Sequence, residues 1–230
     1  MILANATDIL RQMSHAAMRA GRPPDAARLV AVSKTVPAER VREAMDAGLR
    51  VFAENRVQEA RDKIEHFTAN PHGHEAVQWH LIGHLQKNKA KYAVQLFDLI
   101  HSVDSFALAD ELDRQAAKIG KVQRVLVEVK LSPEDTKEGV AEQDLLPLLR
   151  HIGQCGNLRL EGLMTMPPYD PDPEKARPYF RRLRKLRDEA EQHGIKVPEL
   201  SMGMSHDFGV AIEEGATMVR VGTALFGGRG

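Results

Sequence analysis

One cysteine, Cys155, stands in 230 residues. A lone thiol excludes an internal disulfide and a Cys-based zinc site, and it suits a reducing compartment. Net charge is missing too. The 32 basic side chains balance 32 acidic ones, whereas a nucleic-acid surface needs a concentrated excess of Lys and Arg. Nowhere do 18 apolar residues run together, so the sequence offers no membrane span. The first segment is interrupted by Asn5, Asp8, Arg11 and His15, so it carries no signal-peptide apolar run. No GxxxxGK or GxGxxG stretch is present to cradle a nucleotide. Aromatics are few, at 5%, yet 43% hydrophobic residues suffice for a core of ordinary size. These absences describe a cytoplasmic globular chain whose ligands are small or neutral.

What is there is alternation. Short apolar or β-branched runs occur at Leu29–Ser33, Leu49–Ala53, Val77–Ile82, Leu96–His101, Val122–Val129, Leu158–Met164, Pro198–Met202 and Thr217–Val221. They read as eight strands. Between them, apolar residues recur every three or four positions, as on a helix with one buried stripe. Val41, Ala44 and Met45 form one stripe, with Pro37 in the first turn and Gly48 at the stop; Val57, Ala60, Ile64 and Phe67 form the next. Ser105 is placed to cap a helix carrying Ala109, Leu112, Ala116 and Ile119, stopped by Gly120. A longer helix is expected over Glu174–His193, with Arg and Lys on its outer side, and an amphipathic helix with Ile2, Ile9, Met13 and Ala17 precedes the first strand.

Strands alternating with helices imply a parallel sheet. Eight βα units in about 200 residues sit at the lower size limit of a (β/α)8 TIM barrel, while an open doubly wound sheet usually has fewer strands. The expectation is a single-domain α/β barrel over residues 1–230 with an extra N-terminal helix.

In such a barrel chemistry collects where strands end. The first strand runs out at Ser33-Lys34-Thr35, which puts a lysine at the mouth. A solvated lysine is one reading. The other is an amine nucleophile whose pKa is lowered by partial desolvation, so that it attacks a carbonyl to give a Schiff base. The seventh strand leaves through Ser201-Met202-Gly203-Met204-Ser205, with Ser205 placed to cap a helix from His206-Asp207; the eighth leaves through Gly222-Thr223-Ala224. Glycines permit close backbone approach, exposed amides bind anions, and barrel phosphate sites lie after strands seven and eight. A lysine on the first strand neighbours those turns once the barrel closes, which favours a phosphorylated carbonyl compound.

Six segments carry a family resemblance: AVSKT ending at Thr35, FAENRVQEA from Phe52, WHLIGHLQKNK from Trp79, HSVDS from His101, GLMTM from Gly162, and LSMGMSHDFGVAIEEGATMVRVGTALFG from Leu200. The chain resembles, over nearly its whole length, the pyridoxal 5′-phosphate homeostasis proteins, which are related to the N-terminal barrel of alanine racemase (fold type III). It departs from the family pattern at Ala53, where glycine is usual.

The resemblance implies that Lys34 forms the internal aldimine. It implies that Ser201, Gly222 and Thr223 hold the phosphate near the loop from Gly203 to Ser205, that Asn55 lies close to the ring, and that Arg220 faces the pyridine nitrogen. An arginine there stays protonated and cannot give the nitrogen the full proton that an Asp partner would stabilise, which restrains carbanion chemistry. Arg220 could otherwise pair with Glu213 or Glu214. The function implied is intracellular storage, buffering or delivery of the cofactor by a protein without robust catalysis. The protein is expected to be a monomer that meets apo enzymes transiently and binds neither nucleic acid nor membrane.

The competing reading is an amino-acid racemase or decarboxylase on the same barrel. Racemisation needs two acid/base groups on opposite faces of the α-carbon. In alanine racemase the second is a tyrosine from an additional β domain, and a chain ending at Gly230, just after the eighth strand's loop, is expected to lack that domain. Tyr92 and Tyr179 fall in helices, while Tyr169, after the sixth strand, could reach the mouth. Lys137 matches a family lysine linked to a secondary cofactor contact, although its charged loop also suits a solvated side chain. His72, His74, His80 and His84 invite a metal reading, but a strand end followed by a turn does not put His80 and His84 on one helical face, and no metal site is assigned. The run Arg177, Arg181, Arg182, Arg184, Lys185 and Arg187 reads as the wet face of a helix.

Overall fold

The structure, a computed structural model, describes residues 1–69, 77–132 and 138–228; His72, His74 and Lys137 lie outside them. Eight parallel strands close into a barrel in sequence order: β1 Arg28–Val32, β2 Val51–Glu54, β3 Gln78–Leu81, β4 Leu99–Val103, β5 Gln123–Glu128, β6 Leu158–Met164, β7 Glu199–Ser201 and β8 Met218–Val221. The helices are α1 Ile2–Arg19, α2 Ala38–Asp46, α3 Val57–Ala69, α4 Ala90–Leu96, α5 Phe106–Lys118, α6 Glu142–Gln154, α7 Arg177–Gln192, α8 Phe208–Glu213 and α9 Thr223–Phe226. Each expected strand is present, shifted by no more than three residues at either end. Among the described residues no helix is long and apolar enough to cross a membrane.

Strand side chains alternate between two faces, and here the faces sort into two cores. On β1, Leu29 and Ala31 join the large cluster between strands and helices, whereas Val30 and Val32 join a small cluster with Ala53, Leu99, Leu126, Met164 and Met218. The small cluster fills the barrel. The same parity turns His80, His101, Ser201 and Arg220 inward, because Trp79, Ile100, Leu200 and Val219 beside them face the helices. Ala53 is fully buried inside.

The extra helix α1 has a structural explanation. α9 spans only Thr223–Phe226, too short to cover the seam where β8 meets β1. α1 packs against α8, α9 and α2 and takes that place, burying Ile2, Ala6, Ile9, Met13, Ala16 and Ala17. Asn5 donates to the Leu225 carbonyl (2.9 Å), and Arg22 donates to the carbonyls of Ile212 (2.6 Å) and Ala216 (2.9 Å).

Three local expectations are corrected. The helix over Glu174–His193 is a 3-10 turn, Pro173–Ala176, followed by α7; Pro178 lacks the N–H that a continuous α-helix would need from it. Ile119 lies past the end of α5, 45% exposed, outside the buried stripe. Ser105 occupies the N-cap position, but its hydroxyl makes no cap bond and pairs with the Asp104 carboxylate.

The arginines of the basic run on α7 are ion-paired in place, Arg187 with Asp188. Arg177 reaches Glu174, Glu213 and Glu214; Arg181 and Arg184 reach Glu214; Arg182 reaches Glu142 and Glu189. It is a solvated, ion-paired face rather than a free cationic surface.

Candidate functional site

At the C-terminal mouth a cleft of about 290 Å³ is bounded by Lys34, Asn55, Tyr169, Ser205, Arg220 and Thr223, with Gly222, His206 and the apolar Val32, Ile82, Met166 and Met204 completing its wall. None of the residues lining it is Asp or Glu. The Lys and Arg side chains on its wall are Lys34 and Arg220, a setting that favours an anionic ligand.

Lys34 follows β1, in phase with the inward Val30 and Val32, and its side chain is exposed. The partial desolvation expected of it is absent. A second cleft, about 230 Å³, shares Lys34, Gly222 and Thr223 with the first and adds Val36, Pro37 and Arg40.

Ser205 does not cap the following helix. That helix begins at Phe208 with Asp207 at the N-cap, and the Asp207 carboxylate accepts from the Met204 N–H (2.6 Å). The Ser205 hydroxyl instead accepts from the amides of Gly222 (3.3 Å) and Ala224 (3.4 Å). These long contacts mark two N–H groups aimed into the cleft beside Thr223. A Cβ on Gly222 would stand 3.2 Å from the Val32 carbonyl oxygen, so glycine lets the two strand ends close on each other. Gly203, at φ +92, is covered by α8: a Cβ there would meet that of Ala211 at 2.5 Å. It shapes the turn carrying Ser205 without lining the cleft.

Ser201 also lies off the cleft, fully buried in β7. Its hydroxyl accepts from Arg220 Nη1 (2.6 Å) and meets His101 Nδ1 (2.9 Å), while His101 Nε2 meets His80 Nδ1 (3.0 Å). Arg220 Nη2 donates to the Thr165 carbonyl (2.9 Å). The proton arrangement that pairs most groups has Ser201 donating to His101 and His101 donating to His80. It leaves the His80 Nε2–H without a partner among the described residues.

Burial lowers His80 to about 3 and His101 well below its ordinary value, with the Arg124 and Arg28 charges adding to the effect on both, so both rings are neutral. Burial also lowers Arg220, to about 10, against the pull of Glu128 and Asp207. It keeps its charge at neutral pH. Glu213 and Glu214, its alternative partners, are taken by Arg19, Arg177, Arg181 and Arg184.

Sequence reasoning brought Lys34, Asn55, Ser205, Arg220, Gly222 and Thr223 to one cleft. It missed Thr165 and His101 as the supports of Arg220, and the contributions of Ile82, Met166, Met204 and His206 to the wall. The inward parity of His101 in β4 was the available signal.

The geometry agrees with what comparison to known proteins finds. The family model for the N-terminal domain of alanine racemase matches residues 7–230. A pyridoxal phosphate homeostasis protein of Aquifex aeolicus (strain VF5) is 49% identical over 222 residues, covering 96% of this chain and 95% of its own. The solved structure of PipY from Synechococcus elongatus PCC7942, with PLP bound, is 40% identical, with a TM-score of 0.85 over 99% of this chain and 100% of that one. Alanine racemase of Clostridium difficile 630 is 16% identical, with a TM-score of 0.68 over 96% of this chain and 56% of that chain, a likeness of fold alone. The full-length family match and the 49% identity place this chain in the pyridoxal phosphate homeostasis protein family, built on the N-terminal barrel of alanine racemase.

Proposed function

We propose that this protein binds pyridoxal 5′-phosphate, holds it as a Schiff base on Lys34, and stores, buffers or delivers it inside the cell without robust catalysis of its own. One observation carries the reading: an amine, a pair of turn amides held only by long bonds to the Ser205 hydroxyl, and a fixed guanidinium converge on a single cleft that no carboxylate lines. When bound, the cofactor supplies an aldehyde that a neutral amine converts to a C=N bond with loss of one water.

The donor set fits that group. The amides of Gly222 and Ala224, with the hydroxyls of Ser205 and Thr223, suit phosphate oxygens, since the two amides make only long contacts to Ser205. Gly203 shapes the turn that presents Ser205, and Ser201 acts on the site through Arg220. Asn55 and Arg220 are the polar groups left for the ring. With the ring held there, the protonated Arg220 guanidinium would disfavour a proton on the ring nitrogen and so weaken the electron withdrawal that carbanion chemistry requires. A reversible covalent hold without a strong electron sink suits a monomeric carrier that passes its cargo to apo enzymes.

The test is spectroscopic. Protein mixed with pyridoxal 5′-phosphate should gain a band near the violet edge that borohydride abolishes, leaving a reduced adduct on the Lys34 peptide. Lys34→Ala should give neither; a trapped adduct in that variant on another lysine, at the wild-type rate, rejects the assignment. Ser205→Ala and Thr223→Ala should speed release into an excess of an apo acceptor enzyme, and unchanged release would reject the phosphate cradle.

A further inference from the structure

Lys34 itself is exposed, but the residues on either side of it are not free. Strand parity turns Ser33 away from the barrel interior and toward α3, while Thr35, in the turn beyond β1, is exposed and offers α3 its N–H. Ser33 is fully buried. Its hydroxyl donates to Glu54 Oε1 (2.7 Å), and its carbonyl accepts from Lys63 Nζ (2.6 Å). The same ammonium donates to Glu54 Oε1 (2.6 Å) and lies 3.5 Å from Glu59 Oε1. On the other side, the Thr35 N–H donates to Glu59 Oε1.

Thr35 sits at φ +60 and is the one non-glycine residue with positive φ among the described residues. A β-branched residue rarely enters that region. The hydrogen bond from its N–H to Glu59 and those on Ser33 together fix the backbone where the chain turns out of β1. Three ionisable side chains, two of them buried, are thus spent on the two peptide units around an exposed lysine.

A buried ion pair is a poor way to gain stability, because desolvation of both charges offsets most of their attraction. Its use in setting a unique geometry is better attested, and geometry is what a nucleophile at a strand end needs. A misplacement of about 1 Å at a reacting group can cost on the order of a hundredfold in rate.

We propose that Glu54, Glu59 and Lys63 are positioning residues for Lys34, registering its backbone against α3 so that the amine enters the cleft from a fixed root. The proposal rests on the reading of Lys34 as the residue that takes the aldehyde. Glu59→Ala is the informative variant, since Glu59 is only half-buried and its loss leaves the Glu54–Lys63 pair intact. Lys63→Met strips Glu54 of its counter-charge and can fail to fold for that reason alone, so it serves as a second measurement only.

Two quantities are compared in the full-length protein: the second-order rate of band formation with pyridoxal 5′-phosphate, checked by borohydride trapping, and the affinity for pyridoxine 5′-phosphate, whose alcohol cannot react. Glu59→Ala should slow the aldehyde reaction about tenfold while leaving the affinity for the alcohol within about twofold. Glu59→Gln, which keeps an acceptor for the Thr35 N–H, should recover most of the rate. An unchanged rate in Glu59→Ala, an equal loss in rate and alcohol affinity, or no recovery in Glu59→Gln each overturns the positioning role. A wild-type chain that yields no trapped adduct overturns the reading of Lys34 and the positioning role with it. A wild-type chain that reacts, beside a Glu59→Ala that reacts as fast, overturns the positioning role alone.

Discussion

Lys34 and Arg220 line the same cleft, one exposed at a strand end and the other buried inside the barrel, and the protein anchors them in opposite ways. For Lys34 the bonds go to its neighbours, Ser33 and Thr35, and the side chain is left loose. For Arg220 the bonds go to the guanidinium itself, through Ser201 and Thr165. The difference follows from what each group is proposed to do. An amine that forms and breaks a covalent bond must shed a proton and swing, so only its root can be fixed. A guanidinium that acts by staying charged in one place works best when every atom is held.

The largest expected effect breaks the comparison on the buried side. Arg220→Ala leaves the Thr165 carbonyl and the Ser201 hydroxyl without their donor and opens a cavity in the barrel. It should cost on the order of 3 kcal/mol in urea denaturation. Arg220→Lys keeps the charge but cannot span both partners, and should fall between. A loss below about 1 kcal/mol in the alanine variant would mean that the guanidinium is not held by the bonds described.

Acid should find the same side of the molecule. His80 and His101 are neutral in the fold and ionise near their ordinary values once unfolded, so below about pH 6.5 the unfolded chain binds protons that the fold refuses. Stability from these groups is complete above that pH and is lost as pH falls toward 3. For His80 the loss by pH 5 is on the order of 2 kcal/mol. Glu54, beneath Lys34, works in the other direction: burial raises its pKa against Lys63 and Ser33, so its protonation offsets part of the loss. Urea titrations at pH 7 and pH 5 should show a smaller drop in His80→Gln, which cannot protonate, than in wild type. Equal drops would remove His80 from the account.

On the exposed side the expected stability change is close to zero. Lys34→Ala removes a side chain with no hydrogen bond or ion pair among the described residues, so its urea midpoint should stay within about 0.5 kcal/mol of wild type. A loss comparable to that of Arg220→Ala would erase the contrast between the two cations.

How much of this was legible depended on range. A short apolar run is a local property, and such runs gave the eight strands; the place of Arg220 at the mouth came from the family resemblance alone. Local rules failed where a distant partner outbid the near one. Ser205 satisfies the capping pattern, yet its hydroxyl turns to amides 17 and 19 residues on. Ser201 was expected at the phosphate through the family resemblance, but its hydroxyl is engaged by Arg220 of the neighbouring β8 and by His101 of β4, across the barrel. Lys63 follows Ala60 by three positions, the spacing of α3's buried stripe. A charge at that spacing was the available sign of a buried pair with Glu54.

Tyr169 offers the smallest expected effect and the strongest check on the carrier reading. It is 71% exposed, its ring lies 4.8 Å from that of His206, and it lines the cleft opposite Lys34's strand. Those are the features that an acid/base partner for a racemase would share. An exposed phenol is poorly held, however, and a proton-transfer group must sit within hydrogen-bond reach of the α-carbon's proton, directly or through one water. In its proposed place toward the ring nitrogen, Arg220 would also weaken the electron sink on which α-proton removal depends. Tyr169→Phe should therefore leave stability within about 0.5 kcal/mol. Deuterium exchange at the α-carbon of L-amino acids should match that of free cofactor in both wild type and variant. Exchange above that level in wild type, lost in Tyr169→Phe, would make the fixed arginine an incomplete restraint and the protein an enzyme.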